Sequence, residues 1–547
     1  MKYLIVLAVL VSACTTSSEQ SFNKFSDEKL IHIYELQDNR DAKALIPFLK
    51  AKKEAHRVAA ALAFASIQDS IAIPYLNQML QIDQDELPRR AAALALGQIR
   101  HPKALGILRS AFDAEFSKLN QRYILEAIGK CGDSSTIQLF ESTVYTDSLL
   151  SVGWTYGVFR LSQKGLNSEK LKARMLEFIG SEVNLQEKML ASHYLYRYYR
   201  VNPDLDKQEI KDLVNTKNAS EVRERLNLIL EDSEARKSEE FNRPWLTAYS
   251  ASNDYEKALK IEHLDENFGN PSTFLYTISL RDTTPHIIRN AAYSKYLKLY
   301  PNKKWNMVLK GLQSGDMALQ SLACYEIHAL GQPKYGTEFN KVRNDLLSEL
   351  QKIKTSLTLP GEAETFIDVC KAIDKLGGDK FEGYQPEFNH PIDWDFVKMI
   401  PDNQIVTIST SKGDIELRCF VNDAPGTVAN FLHLVDSGYY DNKFFHRVVP
   451  QFVIQGGCPR GDGWGGLNWT QRSEFSNYQT YETGTVGIAS SGLDTEGVQF
   501  FITHCPTPHL DGRYTIFARV IEGMDVVNKI EVGDKILSIR RSDSRSN

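Results

Sequence analysis

The 547-residue sequence predicts an all-α repeat array followed by a closed antiparallel β-barrel, and two observations lead there. A motif recurs three times between Arg57 and Cys131 at a spacing of 32 residues, with apolar positions falling at helical intervals. Beyond about residue 404 the apolar period switches to that of short strands, set around one or two helices and not alternating with them. The chain is too long for a single core and divides into several domain-sized units. With 42% hydrophobic residues, 24% charged residues and a net charge of −5, it lacks the basic excess that a nucleic-acid partner would require.

The amino terminus is set aside before fold reasoning. Lys2 is followed by the apolar run Tyr3 to Val11, far shorter than the roughly 20 residues of a membrane-spanning helix. The run ends in Val11-Ser12-Ala13-Cys14, which resembles the lipobox of bacterial lipoproteins. That resemblance implies a signal peptide over residues 1–13, a lipidated Cys14 as the membrane anchor and a tether over 14–24. An ordinary secretory signal with a chance cysteine is the other reading. Thr15 stands where some bacteria place an inner-membrane retention aspartate, so the expected site is the outer membrane, facing the periplasm.

Residues 25–380 carry the helical pattern. Arg57-Val-Ala-Ala-Ala-Leu-Ala-Phe-Ala-Ser-Ile67, Arg89-Arg-Ala-Ala-Ala-Leu-Ala-Leu-Gly-Gln-Ile99 and Gln121-Arg-Tyr-Ile-Leu-Glu-Ala-Ile-Gly-Lys-Cys131 are copies of one unit. A short turn and a second apolar stretch follow each copy, ending near Leu76, Leu108 or Phe140. A helical hairpin of this kind cannot bury its apolar face alone, so neighbours must stack. The recurring small residues Ala65, Gly97 and Gly129 mark where helices approach closely. The unit resembles bacterial HEAT repeats. Between about 140 and 285 the pattern turns aromatic, as at Tyr194 to Tyr199, and reads as diverged repeats packed into a core; an independent helical domain is the alternative. No feature names the protein partner that such an array would bind.

Residues 381–403, with Pro386, Pro391 and Pro401, predict an extended, non-helical linker. Ile405 to Thr410 and Ile415 to Phe420 then read as a hairpin around Ser411-Lys-Gly-Asp414. Val428, Phe431, Leu432 and Val435 share one helical face that Gly438 ends.

Three phrases follow in order: Phe444-Phe-His-Arg-Val-Val-Pro450 with Phe452-Val-Ile-Gln-Gly-Gly457, then Gln499-Phe-Phe-Ile-Thr503, then Leu510-Asp-Gly-Arg-Tyr-Thr-Ile-Phe517. Together they resemble the cyclophilin-type peptidyl-prolyl cis-trans isomerases over residues 404–547, about a quarter of the chain. The resemblance implies a cyclophilin-type barrel that acts on X–Pro bonds of proline-containing polypeptides with no cofactor or metal. It makes Arg447, Phe452 and Gln455 the catalytic residues. Val453, Ala489, Ser490, Gln499, Phe501, His509, Leu510 and Tyr514 become the substrate-binding set, with His509 at the rim. A largely inactive peptide-binding module on a repeat scaffold is the competing reading; retention of Arg447, Phe452, Gln455, Gln499, Phe501 and Leu510 favours the enzyme.

The residue types suit the chemistry. An X–Pro amide resists rotation by about 18–20 kcal/mol because its nitrogen lone pair is delocalised into the carbonyl. Twisting localises that pair, and a guanidinium aimed at the nitrogen stabilises the twisted state more than either planar one. An apolar pocket grips the ring, and no nucleophile or proton relay is needed. Val453, His509, Tyr514 and Ser490 stand where methionine, tryptophan, histidine and asparagine are usual in the best-studied eukaryotic members, and loss of the tryptophan implies weak cyclosporin binding.

Other features read as structural. His446 is expected to be a packed histidine, and His504-Cys505 are neighbours whose side chains point apart on a strand. Gly461 to Gly466 reads as a surface loop, and Glu474, Asp494 and Glu496 as loop carboxylates that meet water. Cys131, Cys324, Cys370, Cys419, Cys458 and Cys505 have neither metal-ligand spacing nor a disulfide pattern, although a bridge among the last three is open.

Overall fold

A computed structural model describes residues 23–542 except 144, 203–204, 216–217, 232–248, 265–270, 331–336, 388 and 477. The signal-peptide segment and Cys14 lie outside the described residues. Helices α1 (Glu28–Asp38) and α2 (Ala42–Leu45) lead into the repeats. The three motif copies are α3 (Glu54–Ile67), α5 (Glu86–Ile99) and α7 (Lys118–Cys131), each returning through α4 (Ile73–Ile82), α6 (Pro102–Ala114) or α8 (Ser134–Ser142).

The repeat has a built-in stacking device. Arg57 Nε reaches Asp83 at 2.7 Å and Arg89 Nε reaches Glu115 at 2.8 Å, so each motif arginine grips the far end of its own hairpin. Both arginines also donate to the backbone just before their own helix, at Ala51 O and Asp83 O. Gln121, one repeat further on, donates to Phe112 O at 3.1 Å.

The array continues through α9 (Ser148–Ser162), α10 (Glu169–Gly180), α11 (Leu185–Val201), α12 (Gln208–Val214) and α13 (Ser220–Glu231). Here the aromatic stretch is core: Tyr194, Tyr198 and Tyr199 are all buried. Then follow α14 (Asp254–Glu262), α15 (Ser272–Leu280), α16 (His286–Leu299), α17 (Lys304–Leu312), α18 (Met317–His328), α19 (Thr337–Ser356) and α20 (Ala363–Lys375). They enclose a separate hydrophobic core that runs from Ala258 to Leu376.

Close approach of α7 and α9 explains one of the small residues. A methyl group on Gly129 would sit 2.2 Å from Gly157 O, so any side chain there forces the two backbones apart. Gly97 is nearly as tight, 2.9 Å from Ala127 Cβ.

The expected linker is only partly extended. Within it α21 (Trp394–Met399) forms and docks on the start of the array: Asn23 Nδ2 donates to Val397 O (2.6 Å) and Ile400 O (2.9 Å), while Phe25 packs on Trp394. Asp393 caps it by accepting from Phe396 N, a local signal that outweighs the flanking prolines.

Eight strands then close into an antiparallel barrel: β1 (Ile405–Thr410), β2 (Gly413–Cys419), β3 (Lys443–Val449), β4 (Val453–Gly456), β5 (Thr485–Ile488), β6 (Phe500–Thr503), β7 (Ile516–Glu522) and β8 (Lys535–Ser542). Their order around the barrel is β1-β2-β7-β5-β6-β4-β3-β8. Alternate residues of β1 point inward, and α22 (Pro425–Asp436) covers one mouth with Val428, Phe431, Leu432 and Val435 buried, as its periodicity predicts. The barrel core and the first array core are continuous.

The two units meet along much of the array. Ser66 Oγ donates to Ser473 O (2.8 Å), Gln98 Nε2 to Gly512 O (2.7 Å), Tyr156 to Asp511 (2.9 Å), Tyr255 to Gly461 O (2.7 Å) and Asn290 to Asp462 (3.1 Å). Gly466 N donates to Gly361 O at 3.0 Å. The loop Gly461 to Gly466, expected at the surface, is therefore half-buried against the array, with Asp462 buried and Gly466 exposed.

Glu474, Asp494 and Glu496 correct the expectation most clearly, being 4%, 1% and 0% exposed. Asp494 accepts from Ser473 N and pairs with Arg40 of the array and Arg472 of the barrel. Glu474 accepts from Gly426 N (3.0 Å) and Thr427 N (2.8 Å) in the first turn of α22. Glu496 accepts from the Thr515 hydroxyl at 2.9 Å. Burial pushes Glu474 up to about 7 and Glu496 up to about 8; burial and the nearby Glu474 push Asp38 up to about 8. All six described cysteines are free.

Two outcomes follow from this packing. Gly129→Ala should destabilise the array by about 2–3 kcal/mol in denaturant titrations, as overpacking between two backbones does. The raised carboxylates hold protons in the folded state that the unfolded chain releases near pH 4, so stability falls as pH rises through that window. Buried His193, His446 and His509 are held low and act in the opposite sense, but only below about pH 6.5, where unfolded imidazoles take up protons. Between pH 6.5 and 8.5 calorimetry should therefore show a falling Tm, with a shallower fall in Glu496→Gln.

Candidate active site

Register builds the site. Arg447 of β3 faces Gln455 of β4, and Gln455 faces Phe501 of β6, so these three lie in one row across adjacent strands. Phe452 comes from the tight β3–β4 turn, in which Gln451 takes a left-handed φ of 54°. Ala489 and Ser490 follow β5, Leu510 ends a short 3-10 turn and Tyr514 precedes β7. Together they line a groove of about 270 Å³.

The floor of the groove is an apolar cluster distinct from the barrel core. Val453, Phe501, Leu510, Tyr481 and Ile516 are buried in it, with Phe452, Ala489 and Tyr514 packed against them. Tyr481 stacks on Phe501 at 5.5 Å and Tyr514 meets Phe501 edge-on at 5.7 Å, fixing the walls. Tyr481 was not anticipated, since it stands outside the three motif phrases; its hydroxyl donates to Thr515 O at 3.3 Å.

At the lip the guanidinium of Arg447 is solvent-exposed and lies 5.6 Å from the Phe452 ring centroid. Its Nη1 donates to Gln455 Oε1 (3.4 Å), Gln455 Nε2 donates to Gln499 Oε1 (3.1 Å), and Gln499 Nε2 donates to Gly463 O (2.9 Å) and Gly465 O (3.2 Å). Positive φ at Gly463 (92°) and Gly465 (84°), which L side chains seldom tolerate, shapes the loop that presents both carbonyls. The glycine-rich loop thus ends a relay of amides that orients the arginine.

His509 departs from its expected rim position. Its ring stacks behind Phe452 at 5.3 Å and lies 4.3 Å from His193 of α11, which covers the side where a rim would be. Burial and surrounding arginines, first Arg225, push it down to about 3, so it is neutral. His446 is likewise buried and pushed down to about 4, matching its structural reading. Cys505 lies just beyond the end of β6, 1% exposed, its Sγ donating to Gln451 O at 3.0 Å, and it does not reach the groove. Among the described residues no group of three or more His, Cys, Asp or Glu is placed to hold a metal ion.

The opposite wall is the least expected part. Met317 and the segment Pro360 to Thr365, all from the array, line the same groove as Arg447 and Gln455. No motif in either unit signals this, because the two segments are brought together only by the tertiary fold. Chemically, the site can grip an apolar ring and direct a cation at an atom beside it.

Residues 405–543 match the family model described as "Cyclophilin type peptidyl-prolyl cis-trans isomerase/CLD", and residues 42–129 match "HEAT repeats". A peptidyl-prolyl cis-trans isomerase of Synechococcus elongatus is 47% identical over 135 residues, which is 24% of this chain and 92% of that protein. Peptidyl-prolyl cis-trans isomerase B of Bacillus subtilis is 46% identical over 127 residues, 23% of this chain and 89% of its own. A Helicobacter pylori peptidyl-prolyl cis-trans isomerase is 43% identical over 141 residues, 25% and 86%. Each match spans nearly a whole relative and about a quarter of this chain.

Proposed function

Because the chain belongs, through residues 405–543, to the cyclophilin-type peptidyl-prolyl cis-trans isomerases, we propose that Arg447 drives its X–Pro isomerisation by hydrogen-bonding the prolyl nitrogen of the twisted amide. The observation that carries this is the placement of an exposed guanidinium at the lip of an apolar pocket, steadied by Gln455 and Gln499. Phe452, Val453, Phe501, Leu510 and Tyr514 hold the proline ring, and Ala489 and Ser490 flank the bound backbone. The planar cis and trans amides keep the lone pair in the carbonyl, so the arginine gains a strong acceptor only at the barrier. The amide relay means the guanidinium is oriented before substrate arrives, which limits reorganisation during the turn.

The array supports a client-holding role. Its Met317 and Pro360 to Thr365 border the groove, so a proline-containing polypeptide held on the array lies directly beside Arg447. The Val11-Ser12-Ala13-Cys14 sequence supports anchoring through a lipidated Cys14 in a bacterial envelope, at the outer membrane facing the periplasm. Two or more acyl chains give a stable attachment, at about 0.8 kcal/mol per buried methylene.

Isomerisation of a proline tetrapeptide by the full chain should be readily measured, and Arg447→Ala should lower kcat/KM by about 10²–10³, the usual effect of removing one transition-state donor. An inactive wild-type chain would refute the enzymatic reading. In the native host, Cys14→Ser should move the protein from the membrane to the soluble fraction and abolish fatty-acid labelling; a variant that stays membrane-bound and labelled overturns the anchor.

A further inference from the structure

The groove is bounded on one side by a wall that the barrel does not supply. Beyond the pocket framed by Arg447, Phe452 and Phe501, it continues between Ser491, Thr495 and Val498 of the barrel and the Pro360 to Thr365 segment of the array. That segment is held in place from three directions. Gly361 O accepts from Gly466 N (3.0 Å), Thr365 Oγ1 donates to Met317 O (3.2 Å), and Ser321 Oγ donates to Thr365 Oγ1 (3.1 Å). It is a built wall and not a loop lying by chance near the opening.

The chemistry of this extension is mixed in a particular way. Met317, Pro360, Ala363 and Val498 give it an apolar lining. Two carboxylates interrupt that lining, Glu362 and Glu364, the second in the first turn of α20. The neighbours of Glu364 are the like-charged Asp368 and Ser491, burial and Asp368 push it up to about 7, and among the described residues no lysine, arginine or histidine forms an ion pair with it. Glu362, two residues before, is already committed to Thr358 N at 2.6 Å. A half-buried carboxylate among apolar lining residues, with no ion-pair partner among the described residues, complements a side chain with a long apolar stem and a positive head.

We infer that Glu364 and the Met317–Pro360 wall form a subsite for a lysine or arginine side chain near the isomerised X–Pro bond, so that the helical array sets the sequence preference of the barrel. The stem lies along Met317 and Pro360, and the head pairs with Glu364. Specificity thus comes from residues more than 80 positions upstream of Arg447 in the chain. This inference rests on the groove being the peptide-binding site, and the test separates the two.

Fluorescent proline peptides are titrated into the full-length protein, with lysine or its uncharged isostere norleucine placed in turn at each position flanking the X–Pro pair. Binding is read by anisotropy, and isomerisation of the same peptides is followed separately. At one position lysine should bind about tenfold more tightly than norleucine, as a charge-assisted contact in a partly desolvated site allows. Glu364→Gln should bring that ratio to within about twofold, and Glu364→Lys should reverse it, favouring a glutamate peptide over norleucine. Thermal melts of both variants establish that they are folded, and the reversal in Glu364→Lys is a gain that misfolding cannot produce. Equal binding of lysine and norleucine at every position, or a preference that survives both substitutions, overturns the subsite. A lysine preference without turnover supports the subsite and sinks only the catalytic reading; no binding of any peptide overturns both.

Discussion

A carboxylate withdrawn from water is stable only when donors replace its hydration, and the joining of array to barrel rests on one such replacement. Asp494, on a barrel loop, is enclosed by Arg40 from the array, Arg472 from its own unit and the Ser473 amide. Arg40 in turn donates to Ser66, which donates to Ser473 O, and Arg472 donates to Asp38 O. No member of this circuit is satisfied by one unit alone. The contacts further along, at Gln98, Tyr156, Asn290 and Gly361, repeat the principle with single hydrogen bonds. Because the barrel is held this way, the groove has a second wall and His509 has a roof.

What could be read from the sequence and what could not divides along the distance between partners. The 32-residue spacing was legible because each repeat packs on its neighbour, and the helices do begin at Glu54, Glu86 and Lys118. The β1–β2 hairpin and the apolar face of α22 were legible from period. The site row of Arg447, Gln455 and Phe501 was legible through motif phrases whose members sit on adjoining strands. Glu474, Asp494 and Glu496 were misjudged because their surroundings in sequence are polar loops. What buries Asp494 includes Arg40, more than 400 residues upstream. His509 was placed at a rim by its position in the motif, but α11 occupies that space. The Pro360 to Thr365 wall left no trace in either unit's pattern, since neither a repeat nor a barrel needs it.

The array also has two parts with different relations to the barrel. Its first core runs without interruption into the barrel core, whereas its second, from Ala258 to Leu376, is closed on itself. The first half therefore acts as a foundation. The second half meets the barrel through polar contacts such as Arg460–Asp316 at 3.1 Å and Gly466–Gly361, and through ring contacts such as Tyr255–Phe444 at 5.2 Å.

The return of the chain to its own beginning, where Asn23 bonds the carbonyls of Val397 and Ile400, has a consequence for biosynthesis. The array leaves the ribosome first, and Asn23, Arg40 and Ser66 emerge hundreds of residues before the groups that will receive them. At roughly 5–20 residues per second, the barrel alone takes about seven to thirty seconds to be made. During that interval the array's inner face carries polar groups meant for partners not yet synthesised, and water must serve in their stead. Those arginine, asparagine and serine side chains keep part of the waiting face wet, beside the apolar surface that later joins the barrel core.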